Sequence, residues 1–259
     1  MASDISEKAV ISPKAKIGDN CKIFPFVYIE DDVVIGDNCI IFPFVSILNG
    51  SRLGNDNKVH QGSVIGALPQ DFNFHGEKSE CVIGNNNIIR ENVVINRATH
   101  SGCQTVIGND NFLMEGAHVS HDTKIGSNCV LGYGTKIAGD CEIGNGVIFS
   151  TSVIENAGTR VGDLAMIQAG TSFSKDIPPY IVAGGKPVAY GGPNNTMLEA
   201  AGADTKVQKH VANAYRLVFH GQTSVFDATH QIIDQVPDGP EIQNIVKFLQ
   251  SSKGIICKM

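Results

Sequence analysis

Two histidines and an aspartate lie close together near the middle of the chain, where they could carry out acid–base chemistry. They are His118, His121 and Asp122. Histidine exchanges protons near neutral pH, and a neighbouring carboxylate can orient the imidazole and fix its tautomer. The segment therefore predicts a site in which His121 is a general base and Asp122 orients it. Two solvated surface histidines are the alternative interpretation.

A six-residue repeat determines where these side chains point. Large apolar residues recur every six positions from Ile17 to Ile65, from Ile83 to Ile95 and from Ile107 to Phe173, with a miss at Glu155 that indicates a slip in the repeat. A small residue precedes most of them by two positions, so each hexad points one small and one large side chain inward. Such units bury their apolar faces only by stacking, which predicts a solenoid with a continuous core. The other positions, including both histidines, face outward.

Glycine gives the length of one coil. It recurs every eighteen residues in two series, which predicts a three-sided prism with three hexads per coil: Gly18, Gly36 and Gly54, then Gly108, Gly126, Gly144 and Gly162. Residue 139 follows residue 121 by one coil, so Gly139 should lie beside His121 at roughly 5 Å. An open glycine N–H beside a histidine base can hold the oxyanion that develops in acyl transfer. By the same count Lys136 lies beside His118 and could bind a phosphate.

Two polar segments interrupt the repeat and are predicted to be loops that leave the prism. The first, near residues 67–80, places Gln70, Asp71, Asn73 and His75 among two phenylalanines. We expect an ordered, ligand-contacting loop, because long loops in compact proteins are usually functional; a mobile surface loop is the alternative. The second, near residues 97–105, is interpreted as a cover for a neighbouring subunit.

The repeat pattern changes towards the C-terminus. Pro178 and Pro179 are predicted to stop the regular pattern, since proline cannot donate to a sheet ladder. Beyond them apolar residues recur at helical spacing, and Thr223 or Ser224 could cap a helix. We therefore predict a β-helix domain over residues 1–194 and a helical domain over residues 195–259 that covers an end of the solenoid.

Composition limits the possible partners and surroundings. The formal net charge of −6 argues against nucleic acid or a membrane surface as the main partner. No apolar run approaches the ~20 residues of a membrane span, and the first eight residues lack a signal-peptide core, so a cytoplasmic protein is expected. Five of the seven cysteines lie at the small inward position, which favours buried thiols over disulfides or zinc ligands: Cys21, Cys39, Cys81, Cys129 and Cys141.

The repeat resembles that of the hexapeptide-repeat acyltransferases, whose fold is a left-handed parallel β-helix. A more specific set of segments is similar to the UDP-N-acetylglucosamine O-acyltransferase family along essentially the whole chain: Gln70–Asp71, 91–97, 116–122, 176–180, Asn194 and 213–217. The resemblance implies a mainly β protein, a left-handed parallel β-helix of hexapeptide repeats with a small C-terminal α-helical domain. It also implies a homotrimer with active sites between adjacent prisms.

The resemblance further implies a reaction and its residues. An (R)-3-hydroxyacyl group would pass from the phosphopantetheine of acyl carrier protein to the 3-hydroxyl of UDP-N-acetylglucosamine, the first step of lipid A biosynthesis, with no metal and no further cofactor. His121 would be the base, Asp122 its orienter and Gly139 the oxyanion donor. Ala169 would set the acyl length, and its small size implies a long chain. The substrate contacts would be Gln70, Asp71, Asn73, His75, His118, Lys136, Gln168, Ala169 and Asn194.

The chain departs from the family pattern at several positions. A common lysine is replaced by Asn73, a histidine by Asp140, another histidine by Glu155 or Asn156, and a basic pair by Ala200–Ala201. The departures bear on sugar and carrier contacts rather than on the base.

Other interpretations remain open. One is another enzyme of this fold, such as an acetyltransferase or the N-acyltransferase that acts next. For the latter we expect too few residues before Ile11 to hold its usual N-terminal domain. A γ-class carbonic anhydrase could use His118 and His121 with His100 or His75 as zinc ligands. A structural solenoid without activity would leave the loops and the histidine–aspartate pair unexplained.

Overall fold

A three-sided prism of short parallel strands forms the first part of the protein. The computed structural model describes residues 2–257, so the chain ends Met1 and Lys258–Met259, included in the predicted domain ranges, lie outside the described residues. Three sheets of eleven, nine and eight strands run along the prism.

The strands are numbered in chain order and assigned to sheets as follows. Sheet 1 contains β1 (Asp4–Ile5), β4 (Lys22–Ile23), β7 (Ile40–Ile41), β10 (Lys58–Val59), β13 (Ile88–Ile89), β16 (Phe112–Leu113), β19 (Val130–Leu131), β22 (Ile148–Phe149), β25 (Met166–Ile167), β27 (Ile181–Gly184) and β28 (Ala189–Pro193). Sheet 2 contains β2 (Val10–Ile11), β5 (Tyr28–Ile29), β8 (Ser46–Ile47), β11 (Val64–Ala67), β14 (Val94–Asn96), β17 (His118–Val119), β20 (Lys136–Ile137), β23 (Ile154–Glu155) and β26 (Ser172–Phe173). Sheet 3 contains β3 (Lys16–Ile17), β6 (Val33–Ile35), β9 (Ser51–Leu53), β12 (Glu80–Ile83), β15 (Gln104–Ile107), β18 (Lys124–Ile125), β21 (Glu142–Ile143) and β24 (Arg160–Val161).

The hexad explains both the core and the corners of the prism. Large residues stack directly on large residues of the next coil, as Val119 does on Ile137, and both are fully buried. The five inward cysteines are buried free thiols, whereas Cys103 and Cys257 are exposed. Many corners turn through asparagine or aspartate at positive φ, a conformation these short polar side chains tolerate well: Asn20, Asn38, Asp56, Asn86, Asn92, Asp110, Asp122, Asn128 and Asp140.

The slip predicted at Glu155 does not occur. Glu155 pairs in register with Ile137 and Phe173, and its side chain is 0% exposed inside the prism. Thr159 Oγ1 donates to one carboxyl oxygen at 3.0 Å, and the other has no hydrogen-bond partner among the described residues. Burial raises the pKa of this carboxyl well above its usual value. The prediction was wrong because a neutral glutamic acid can occupy an apolar position that its charged form could not.

The two loops are whole-hexad insertions. Leu53 pairs with Ile83 thirty residues later, twelve more than one eighteen-residue coil, and Ile83 pairs with Ile107 twenty-four residues later, six more than one coil. The repeat register therefore survives both insertions. The first loop is held at its base, where Leu68 O accepts a hydrogen bond from Asn96 Nδ2 at 2.7 Å.

Four helices follow the strands. They are α1 (Asn195–Ala200), α2 (Thr205–His220), α3 (Val225–Gln235) and α4 (Pro240–Ser251). Ser224 caps α3 by accepting a hydrogen bond from Asp227 N, which confirms one of the two predicted caps. None of the helices within residues 2–257 is long and apolar enough to cross a membrane.

The end of the prism lies beyond the two prolines. Strand β27 still pairs in parallel with β25 after Pro179, but Val182 pairs with Met166 sixteen rather than eighteen residues earlier. The regular repeat therefore ends at the prolines, as predicted, while the sheet continues for one more parallel strand. Proline is accommodated because it lies in the corner before the strand rather than in the ladder. The buried Tyr215 of α2 donates its hydroxyl to Pro179 O at 2.5 Å, which fixes the helices against this end of the solenoid.

Candidate active site

His121 lies at the corner between sheets 2 and 3, just after β17. Its side chain points out of the prism, as the hexad predicts, but the residue is only 8% exposed. The cover comes partly from the first loop, since Asp71 Oδ2 lies 3.6 Å from His121 Nε2. The imidazole is thus at the bottom of a cleft rather than on an open surface.

Asp122 binds the other side of the imidazole. Its Oδ2 lies 2.9 Å from His121 Nδ1 and also accepts hydrogen bonds from Thr99 N at 3.0 Å and Thr99 Oγ1 at 2.7 Å. The backbone of Asp122 has φ of 59°, and its N–H donates to Thr105 Oγ1 at 2.9 Å. Burial alone would raise the pKa of Asp122, but the hydrogen bonds from Thr99 and His121 outweigh it, and the pKa is lowered. The carboxylate is therefore charged at neutral pH and can accept a hydrogen bond from the Nδ1–H of His121.

Gly139 lies directly against the imidazole, where the eighteen-residue count placed it. A Cβ at this position would lie 2.4 Å from His121 Cε1, so no side chain fits. Asp140 N donates to His121 O at 3.1 Å, which locks the two corners together. Among the described residues the Gly139 N–H donates to no protein acceptor. A base with an unused N–H beside it is the arrangement that acyl transfer requires.

His118 and Lys136 form the neighbouring part of the cleft. They are register partners on β17 and β20, and Lys136 Nζ donates to Gly116 O. Burial lowers the pKa of His118, and the positive charge of Lys136 lowers it further. His118 is therefore neutral at neutral pH and can both donate and accept a hydrogen bond.

The cleft is lined by residues of the prism and of the first loop. They are Gln70, His118, Ser120, His121, Lys136, Ile137, Ala138, Gly139, Ile154, Glu155 and Asn156. Within residues 2–257 no group of three histidine, cysteine, aspartate or glutamate side chains is placed to hold a metal ion.

Several predicted site residues lie elsewhere in the same chain. Asn73 and His75 are exposed in the first loop, where their backbone N–H groups donate to Asp71 Oδ1 and Glu77 Oε2, each at 2.7 Å. Asn194 is buried as the N-cap of α1, and its Nδ2 donates to Leu164 O at 2.8 Å.

Gln168 and Ala169 lie at the corner between sheets 1 and 2. Both are exposed, on the edge of sheet 2 opposite to His121. Residue 169 is also nearly three coils further along, or roughly 13 Å at the usual strand spacing. One chain by itself does not bring these residues to the imidazole.

Thr99 is the site residue that sequence reasoning missed. It lies in the second loop, which was interpreted as a cover for a neighbouring subunit, and it is only 4% exposed. The signal was the six-residue length of the insertion, which keeps the chain in register and returns residue 99 to the corner of residue 122. That length becomes apparent only when the coil pairing is known.

Comparisons with known proteins agree with this geometry. One family model, described as bacterial transferase hexapeptide (six repeats), matches residues 14–41, 34–67 and 104–139. Another, described as UDP N-acetylglucosamine O-acyltransferase, domain 2, matches residues 176–257. A relative from Nautilia profundicola named acyl-[acyl-carrier-protein]–UDP-N-acetylglucosamine O-acyltransferase is 36% identical over 96% of this chain and 96% of its own. The chain belongs to the UDP-N-acetylglucosamine O-acyltransferase family.

Other members of the family are similar over the same extent. A relative of the same name from Chlamydia abortus is 33% identical over 98% of this chain and 91% of its own. The solved UDP-N-acetylglucosamine acyltransferase from Bacteroides fragilis is 48% identical, with a TM-score of 0.95 over 97% of this chain and 99% of its own. That from Francisella novicida is 31% identical, with a TM-score of 0.94 over 98% of this chain and 93% of its own. The predicted left-handed parallel β-helix with a small helical part is confirmed, and the chain is an acyltransferase.

Proposed function

We propose that the protein transfers an (R)-3-hydroxyacyl chain from acyl carrier protein to the 3-hydroxyl of UDP-N-acetylglucosamine, the first step of lipid A biosynthesis. The observation that carries the proposal is the His121–Asp122 pair beside the unused N–H of Gly139. The relatives named for this reaction support the choice of donor and acceptor. A cytoplasmic location is proposed with it, because both substrates are cytoplasmic.

The cleft has a group for each step of the transfer. With Nδ1–H donated to Asp122, His121 Nε2 is free to take the proton from the sugar 3-hydroxyl. The hydroxyl oxygen then bonds to the thioester carbonyl carbon, and the Gly139 N–H holds the oxyanion that forms. When the carbon–sulfur bond breaks, the Nε2 proton passes to the departing pantetheine thiolate. His121 is thereby returned to its neutral state.

The substrate contacts are assigned from their places around this centre. Asp71 Oδ2 lies near Nε2, where the acceptor sugar must arrive, so it is proposed to accept a hydrogen bond from a sugar hydroxyl. Gln70 and His118 line the same cleft, and the exposed Lys136 is proposed to meet a phosphate of the nucleotide. Asn73 and His75 are proposed to contact the sugar nucleotide through the first loop.

A homotrimer is proposed because one chain leaves the site incomplete. Gln168, Ala169 and Asn194 lie away from His121 in the same protomer, and the corner that carries Ala169 also carries an apolar strip. In that strip Phe26 and Phe44 stack with ring centroids 5.2 Å apart while 54% and 64% exposed. A neighbouring prism against this corner would cover the rings and bring Ala169 to a cleft that holds His121. The small Ala169 would then admit a long acyl chain.

The test is acyl transfer measured with purified protein, comparing wild type with His121→Ala. We expect the mutant to lose about three orders of magnitude in kcat, as is typical when a general base is removed from an activated hydroxyl. His230→Ala, which changes an exposed histidine on α3, is the matched control and should keep full turnover. Acetyl-coenzyme A is included as an alternative donor.

The outcomes separate the reaction from its mechanism. Wild-type turnover with 3-hydroxyacyl carrier protein that is lost in a correctly assembled His121→Ala supports both. Turnover that survives this mutation contradicts the role of His121. Turnover with acetyl-coenzyme A alone contradicts the proposed donor.

A further inference from the structure

The second loop reaches the proposed catalytic pair through one residue, Thr99. Thr99 donates two hydrogen bonds, from N and from Oγ1, to the Asp122 oxygen that also binds His121 Nδ1. Three donors therefore converge on Oδ2. A carboxylate held by three donors on one oxygen has little freedom to rotate about its Cβ–Cγ bond.

The loop around Thr99 is itself held on both sides. Before it, Ala98 N donates to Glu80 O at 3.2 Å, and Ser79 Oγ donates to Ala98 O. After it, Gly102 N donates to Lys78 O at 2.9 Å. Thr99 is therefore a buried residue in a braced turn, rather than a side chain that happens to lie near the carboxylate.

The carboxylate of Asp122 needs such support. The residue's φ of 59° lies in the left-handed region, and only its N–H, bonded to Thr105 Oγ1, is fixed by the neighbouring coil. The direction of the carboxylate is left to its side-chain partners. If it turned away, His121 would lose the acceptor that keeps the proton on Nδ1 and leaves Nε2 as the base.

We propose that Thr99 is a positioning residue for the transfer reaction, which holds the Asp122 carboxylate against His121 Nδ1 through its hydroxyl and N–H. The proposal rests on the proposed function for its kinetic consequence, but the contact it describes exists without substrate. The second loop thus acts on the chemistry of its own protomer, in addition to any cover it gives a neighbour.

The kinetic test compares Thr99→Val, which keeps the shape and loses the hydroxyl, with Thr99→Ser, which keeps the donor. The loss of a hydrogen bond to a charged group costs a free energy equivalent to a roughly tenfold or larger decrease in rate. We therefore expect Thr99→Val to lower kcat about tenfold. The KM for UDP-N-acetylglucosamine should stay within about twofold, because Thr99 lies behind the dyad, and Thr99→Ser should retain most of the activity. Thr135→Val is the control, since that buried hydroxyl donates to Ser150 O at 3.2 Å in an ordinary coil.

A double-mutant cycle shows whether Thr99 acts through Asp122. In the Asp122→Ala background, Thr99→Val should change the residual rate by less than about twofold, since the group it positions is gone. An equal loss in both backgrounds would mean a general structural defect and would overturn the proposal. So would a Thr99→Val enzyme as active as wild type.

A spectroscopic measurement keeps the proposal separate from the assigned reaction. In protein labelled with ¹⁵N-histidine, the hydrogen-bonded Nδ1–H signal of His121 is identified by its loss in His121→Ala. We expect Thr99→Val to shift or broaden this signal, and Thr99→Ser and Thr135→Val to leave it in place. If wild type shows no transferase turnover, the proposed function fails while this result still decides the role of Thr99. An unchanged signal in Thr99→Val contradicts that role.

Discussion

The protonation states of two carboxyl groups in this protein are set by their immediate surroundings. Asp122 and Glu155 are both acids close to the same corner of the prism, but their pKa values move in opposite directions. Asp122 has donors that outweigh its burial, whereas the burial of Glu155 inside the core outweighs the hydrogen bond from Thr159. The first is held charged, as the proposed histidine–aspartate pair requires, and the second is held neutral.

Glu155 should make the stability of the fold depend on pH. Its folded pKa is raised above the unfolded value of 4.5, so the folded state keeps a proton that the unfolded state loses. Stability from this group is therefore complete below about pH 4.5 and falls as pH rises towards the folded pKa, by about 1.4 kcal/mol per pH unit. Glu155→Gln should remove this slope. The free energy of unfolding of the variant, relative to that of wild type, should therefore increase from pH 5 to pH 8.

Denaturant unfolding at fixed protomer concentration measures this difference. Glu142→Gln, at an exposed position of β21, serves as the control and should follow wild type across the pH range. If the free energies of unfolding of wild type and Glu155→Gln change in parallel with pH, the carboxyl is ionised in the folded protein and the prediction is wrong.

At the scale of elements, hexad counting could predict much of the fold and part of the site. The strands, the inward residues and the neighbourhood of His121 and Gly139 all follow from a spacing of six and a coil of eighteen. Thr99 could not be reached in this way, because its position depends on how the loop folds back. Glu155 was misjudged because periodicity records residue type and does not record protonation state.

Helix α2 carries a stripe of cations that suits the proposed carrier. Lys206, Lys209 and Arg216 are exposed on one face, the helix contains no acidic residue, and none of the three forms an ion pair among the described residues. An acidic face of the carrier protein would complement this stripe. The stripe could thus take the place of the family's basic pair, which is Ala200–Ala201 here.

Charge reversal tests this docking surface. The double variant Lys206→Glu/Lys209→Glu should raise the KM for the acyl carrier about tenfold at low salt, with kcat little changed and the difference shrinking as salt is added. Lys16→Glu, on an exposed strand at the other end of the prism, is the control. An unchanged KM in the double variant would place the carrier elsewhere.

At the scale of the whole molecule, the proposed site, with Ala169 in the acyl groove, needs a second chain. His121 and Ala169 lie on opposite edges of sheet 2 and nearly three coils apart, so one protomer cannot bring them to a single cleft. In a cyclic trimer the His121 edge of each prism would contact the Ala169 edge of the next, and this contact would occur three times.

Mixed trimers provide the corresponding experiment. His121→Ala and Ala169→Trp should each be inactive alone, the second because the acyl groove is filled. If each site takes His121 from one protomer and Ala169 from its neighbour, a trimer that contains both variants has one intact site of three, so the mixed sample should recover about a third of wild-type activity. Trimers isolated with two affinity tags supply the sample. No recovery would place both residues of a site in one protomer.

The whole-hexad length of the two loops has a consequence for how this chain can change. Twelve and six extra residues leave every later side chain on its own face of the prism. An insertion of one residue would instead exchange inside and outside for all the coils that follow, because alternate residues point in opposite directions. Within the eighteen-residue coils, changes in length that keep the strand register are therefore multiples of six, whereas the last coil, in which Val182 pairs with Met166, is two residues shorter and ends the regular prism.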